Sequence, residues 1–124
     1  MFQLAWVIGF LVGTTTHTAD LIFGGTDAYS GFPPGVRLFW MSLTILDPAV
    51  VVLIVLRRRF GVVLGSAVMI ADIAVNWTVF VTVGGLSLFG VISQSFFAAI
   101  VFVTARALWA GFGRSSAREP GTVT

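Results

Sequence analysis

The chain has 124 residues, of which 57% are hydrophobic and 10% charged, with seven basic and five acidic side chains and no cysteine. A soluble domain of this length needs about a quarter of its residues charged to cover its surface, so the composition excludes one. It points instead to an integral membrane protein, in line with a mean hydropathy of +1.02. The absence of cysteine rules out disulfide frameworks and thiolate metal sites.

Four apolar segments follow one another, predicted as helical spans over about residues 4–23, 36–56, 60–83 and 86–110. Each approaches or exceeds the ~20 residues that a helix needs to cross the hydrocarbon core. They are continuous apolar runs rather than alternating ones, which argues against a transmembrane β-barrel. The breaks between them are chemically sensible. GGTDAYSGFPPG (24–35) is rich in turn formers, RRRFG (57–61) is a short charged loop, and VGGLS (83–87) holds a glycine pair. The segment 111–124 is polar, with Gly and Pro, and is expected to be a disordered tail.

All basic residues are arginines. Arg57, Arg58 and Arg59 lie between spans two and three, and Arg106, Arg114 and Arg118 flank the end of span four. An even number of spans puts both groups on one side, predicted to be cytoplasmic, together with both termini, and leaves Arg37 as the lone basic residue on the outer side. The expected fold is therefore an all-α polytopic four-helix bundle over residues 1–110, residing in a bacterial cytoplasmic membrane. The basic residues serve as a topology signal, with no surface for nucleic acid.

Ionisable groups inside a span cost several kcal/mol on common scales and are functional suspects by default. Counting about 1.5 Å of rise per residue places them by depth. In span one, Asp20 lies near the outer end and His17 one turn deeper on the same face. In span two, Trp40, Ser42 and Thr44 precede Asp47, near mid-membrane. Pro48 follows and is expected to kink the helix and free a carbonyl beside the acid. In span three, Asp72 is near mid-membrane with Asn76 one turn further out. Ser93, Gln94 and Ser95 lie in the outer half of span four. The inner half of every span is almost entirely apolar, with Ser66 and Thr104 as exceptions. A bundle that turns these groups inward encloses a polar cavity, open toward the outer side or the outer leaflet and closed below by an apolar floor. Three carboxylic acids there, with one His and no buried Arg, cannot all be cheaply ionised, so at least one of Asp47 and Asp72 is expected to be neutral.

Each residue also has a structural reading. Asp72 with Asn76 can be an interhelical clamp, and Asp47 can cap the turn broken by Pro48. Asp20 can be a solvated helix end, with His17 as its hydrogen-bond partner. Asp27 and Tyr29 read as ordinary loop residues. Trp6 and Trp109 fit an interfacial belt; Trp40 and Trp77 either belong to one or form an aromatic wall that stabilises positive charge. ADL (19–21) and ADI (71–73) recur about fifty residues apart in parallel spans, too little to establish a duplication. No phosphate loop, zinc spacing or Ser-His-Asp arrangement occurs, and neither metal nor cofactor is expected.

The stretch FPPGVRLFW (32–40), with acids inside a helical bundle, resembles the emopamil-binding (EXPERA) superfamily, whose Pro-Pro turns precede an aromatic-rich helix; the glutamate of that family is missing, since Glu119 is the sole Glu. The buried acids also resemble those of integral-membrane terpene cyclases, which implies Asp47 and Asp72, with Asp20, as acids. Size and span count are similar to small multidrug transporters, which depend on a Glu in the first helix that this chain lacks.

These readings converge on an acid-catalysing membrane enzyme, a cyclase or isomerase, with a lipid-like or isoprenoid substrate. Asp72 or Asp47 would protonate an alkene or epoxide. Asp20 with His17, or Asn76, would position the acid or remove the final proton. Trp40, Trp77, Asn76, Gln94 and Thr44 would bind substrate. Two alternatives stand beside it: a proton-coupled carrier of a cation or drug working as a homo-oligomer, and a non-catalytic membrane subunit whose acids are packing clamps.

Overall fold

The computed structural model describes residues 2–118. The chain is helical throughout: α1 (Phe2–Gly24), a 3-10 turn (Gly25–Asp27), α2 (Pro34–Val55), α3 (Arg59–Thr82) and α4 (Leu88–Arg118). All four helices are long and apolar enough to cross a membrane. Pro34 opens α2, at the first helical position, where its missing N–H costs nothing. Pro48 is accommodated inside α2, which runs unbroken to Val55. There the chain turns through Arg57 in the left-handed region (φ 56°). The N–H of Arg58 donates to Leu53 O at 2.8 Å and that of Arg57 to Ile54 O at 3.0 Å, closing the helix end.

α4 passes the expected span end at Ala110 and continues to Arg118. Its extension is held by the interhelical link: Arg59 Nε donates to Trp109 O at 3.0 Å, and Arg57 and Arg59 lie over the rings of Phe112 and Trp109 at 4.9 and 4.7 Å. Residues 119–124 of the expected tail lie outside the described residues.

The helices form a four-cornered bundle in which sequential neighbours pack side by side, α1 on α2, α2 on α3 and α3 on α4. α1 and α4 close the ring only over a short stretch. A stripe of core positions spaced three or four residues apart runs along each helix. In α2 the buried set is Trp40, Leu43, Asp47, Val50 and Ile54. In α1 the same spacing joins buried Trp6 and Phe10 to Gly13, His17 and Asp20. In α4 it joins Val91, Gln94, Ala98 and Val101, and in α3 it includes Gly65, Val68, Asp72, Asn76 and Val79. This is the seam by which near-parallel helices interlock. Large apolar side chains such as Phe23, Leu38, Ile45, Phe89 and Val103 cover the outside, the surface expected of a bundle solvated by lipid tails.

One end of the bundle, the arginine end, carries the start of α1, the α2–α3 link and the end of α4. Its core is dense and apolar: Trp6, Val50, Ile54 and Val101 are wholly buried. Gly65 makes this packing possible. A Cβ there would meet Trp6 Cζ3 at 2.8 Å, Val50 Cγ1 at 3.1 Å and Phe10 Cζ at 3.3 Å. Trp6 Nε1 donates to Thr104 Oγ1 at 2.8 Å, which satisfies the two polar groups of this layer. The opposite, loop end carries the segment 25–33 and the α3–α4 turn. Gly84 and Gly85 take φ of 82° and 84° in that turn, a conformation open to glycine. Phe32 packs on Gly85, where a Cβ would lie a tight 3.2 Å from the ring tip.

Candidate functional site

The seam residues that are apolar at the arginine end become polar toward the loop end. There the short α1–α4 contact ends and the helices leave a cavity of about 640 Å³ between them, in the range of small-molecule sites. Its walls are mostly apolar, and His17, Asp20, Trp40, Asp47, Asp72, Asn76 and Gln94 all line it. Its lower boundary is Gly9, Phe10, Met69 and Phe97. Phe10 and Phe97 meet edge to face at 5.4 Å, directly above the buried layer of Trp6 and Val50. The rim is exposed at Val12 and Thr16 on α1 and at Phe89 and Ser93 on α4, so the cavity opens sideways between these two helices.

The polar groups fall into two networks and one isolated acid. The first network joins α2, α3 and α4. Trp40 Nε1 can only donate, and it donates to Asn76 Oδ1 at 2.8 Å. That bond fixes which way the Asn76 amide points. Its Nδ2 therefore donates to Asp72 Oδ1 at 3.0 Å and to Gln94 Oε1. Gln94 in turn offers its Nε2 to Asp72 Oδ2. One indole N–H thus sets the direction of every bond, and both oxygens of Asp72 act as acceptors. Trp40 is itself clamped, with Tyr29 and Phe32 against its ring at 5.0 and 4.7 Å.

The second network lies at the mouth. The Tyr29 hydroxyl donates to Asp20 Oδ2 at 2.9 Å and lies 3.2 Å from His17 Nδ1. Tyr29 sits in the left-handed region (φ 59°), in a loop braced by Arg37, whose Nε and Nη2 donate to Ala28 O at 3.3 and 3.2 Å. Burial, then the bond to Asp20 and its negative charge, push the Tyr29 phenol well above its ordinary range.

Asp47 stands apart. Its carboxyl is buried and seated over Gly13, where a Cβ would lie 2.5 Å from Oδ2. Among the described residues it has no hydrogen-bond partner.

Seven of the nine residues expected at the site are brought together. Trp77 and Thr44 are not among the lining residues. Each immediately follows a buried seam residue, Asn76 and Leu43, and is turned from it by about 100° of helix. Trp77 faces outward, its Nε1 donating to Ser95 Oγ at 2.9 Å. The Thr44 hydroxyl is buried without a partner among the described residues. Sequence reasoning passed over Tyr29, which bridges His17 and Asp20. Its contact with His17 spans twelve positions through an irregular loop, so no helical spacing announces it.

The chain matches no protein-family model, and neither a curated protein nor a solved structure matches it significantly.

Proposed function

We propose that the chain is a membrane-embedded acid–base enzyme, a cyclase or isomerase, acting on an uncharged isoprenoid-like substrate that enters from the lipid. The arginines of the α2–α3 link and of the end of α4, against the single Arg37 at the loop end, support placing both termini on the cytoplasmic side of a bacterial membrane, with the cavity in the outer half. The observation that carries the catalytic reading is the inequality of the two buried acids. Asp72 has both oxygens engaged by amide donors, whereas Asp47 has no hydrogen-bond partner among the described residues and borders the same apolar space. Asp47 is the acid free to give a proton. Its O–H would add to one carbon of an alkene, the π pair forming the new C–H bond, and leave a carboxylate and a carbocation. The cation would lie among Trp40, Phe10 and Phe97, with Asp72 as fixed counter-charge. Loss of a proton from a neighbouring carbon would then complete the reaction.

The lateral opening suits a substrate that never leaves the bilayer. The packed floor argues against the carrier alternative, since alternating access needs a route to both ends.

The test uses the purified chain in lipid nanodiscs of deuterated water, incubated with a panel of neutral isoprenoid alkenes and epoxides and read by mass spectrometry. Wild type is expected to yield isomerised or cyclised product carrying deuterium, and Asp47→Asn to keep its helical content and lose the product. Full activity in Asp47→Asn sinks the assignment of Asp47, and no deuterium uptake by any substrate sinks the enzyme reading.

A further inference from the structure

We propose that His17 is the proton acceptor of this cavity, held in one tautomer by Tyr29 and Asp20; the proposal rests on the acid–base reading above and assigns its second half. A phenol has one proton. Tyr29 gives it to Asp20 Oδ2, a carboxylate oxygen that can only accept. The close approach of Tyr29 to His17 Nδ1 is then a hydrogen bond only if Nδ1 carries the hydrogen. In a neutral imidazole that leaves the lone pair on Nε2. His17 lines the cavity, and among the described residues its Nε2 has no partner. The order Asp20–Tyr29–His17 is that of an oriented base: a carboxylate fixes a donor, the donor fixes the ring, and the ring offers its far nitrogen to the reacting atoms.

The titratable groups sharing this space are Asp20 on the same helix, Tyr29 from the loop, Asp47 from α2 and Asp72 from α3; α4 contributes the uncharged Ser93 and Gln94. Donor and acceptor are thus separate residues. After Asp47 has protonated the substrate, the His17 Nε2 lone pair takes a proton from a carbon next to the cationic centre. The released C–H pair becomes the new C=C bond. The ring becomes an imidazolium whose Nδ1–H points through Tyr29 to the Asp20 carboxylate, which balances its charge. The imidazolium then returns its proton to the medium at the mouth, where Asp20 is exposed, and Asp47 takes one up, so the cycle is neutral. Separate residues let a proton be added at one carbon and removed at a distant one, as ring closure requires.

The chain contains one His and one Tyr, so isotope-labelled histidine gives a single pair of ring-nitrogen signals with no assignment ambiguity. The experiment is nitrogen NMR of the full chain in nanodiscs, above the pH at which the ring protonates. Wild type is expected in the Nδ1–H tautomer. Tyr29→Phe removes the acceptor of that hydrogen and is expected to move it to Nε2. Asp20→Ala, at an exposed position, frees the Tyr29 proton to turn to Nδ1 and is expected to do the same. An Nε2–H ring in wild type, or a tautomer unchanged in both variants, overturns the proposal. Diethyl pyrocarbonate, which acylates a neutral imidazole at its lone pair, is expected to modify wild-type His17; a ring that stays unmodified overturns its presentation to the cavity. Neither readout depends on turnover. An Nε2–H ring would leave the role of Asp47 standing, and an inactive chain with an Nδ1–H ring would leave the tautomer standing.

Discussion

Asn76 is the hub of the α2–α3–α4 network, and replacing it with Leu tests whether that network is made. Asn76→Leu keeps side-chain size but removes three hydrogen bonds: one from Trp40 at 2.8 Å, one to Asp72 at 3.0 Å and one to Gln94. Side-chain hydrogen bonds between helices in membranes average about 0.6 kcal/mol each, which gives about 2 kcal/mol for the set. The orphaned partners add to this unequally. Asp72 keeps its bond from Gln94 and borders the cavity, so water can reach it. The Trp40 N–H is buried, its residue 4% exposed, and it would have no acceptor. A buried unsatisfied donor costs about 1–3 kcal/mol. The expected loss is therefore about 3–5 kcal/mol.

Trp40→Phe removes one of the three bonds and strands Asn76 Oδ1, for an expected loss of about 1–2 kcal/mol beyond the smaller ring. The double variant should cost less than the sum of the two, because either change alone already breaks their shared bond; a coupling of about 1 kcal/mol is expected. The assay is denaturant titration in micelles followed by far-UV circular dichroism, since deleting Trp40 alters the fluorescence. The reasoning is refuted if Asn76→Leu stays within about 0.5 kcal/mol of wild type, or if the two losses simply add.

Two further outcomes follow from the packing and the mouth. Tyr29 is the one tyrosine, so phenolate absorbance reports it alone. Its phenol is held above its ordinary value of 10.0, so the folded state favours the neutral form; the stabilisation is present below pH about 10 and lost as pH rises through the folded value. Ionisation is expected to begin only above that range in wild type and to move down in Asp20→Asn, and a phenol that titrates normally in wild type contradicts the Asp20 contact. Gly65→Leu is expected to cost at least about 3 kcal/mol, since even a Cβ there meets the Trp6 ring at 2.8 Å. Gly111→Ala, with open space around it, is expected to gain up to about 1 kcal/mol from helix propensity, and equal thermal stabilities for these two variants would refute the close packing at Gly65.

The spans were legible because apolar length and turn chemistry are local properties. The level of each polar group along its helix was legible too, since it needs only a residue count. Direction around the helix was the missing coordinate. Asp47 and Asp72 share a cavity because each sits on the three–four seam of its helix, a spacing visible at 40, 43, 47, 50 and 54 once it is sought. Depth counting alone could not separate Asn76 from Trp77, adjacent in depth but on different faces. The end of α4 was obscured by its two glycines, although Phe112, four residues beyond Leu108, continues the apolar stripe. Tyr29 was illegible for another reason: its role depends on how an irregular loop folds back over α1 and α2.

Charge narrows the chemistry further. Among the described residues the cavity is lined by Asp20, Asp47 and Asp72 and by no arginine. Three arginines are engaged elsewhere: Arg57 binds Gln3 Oε1 at 2.9 Å, Arg59 binds Trp109 O, and Arg37 braces the loop at Ala28. An anionic head group such as a diphosphate would enter a low-dielectric space facing carboxylates, with no cation to offset its desolvation. A substrate activated by loss of diphosphate is therefore ill matched to this site. One activated by protonation needs no anion binding, and under the proposed function the acids would both start the reaction and neutralise the positive charge that it creates.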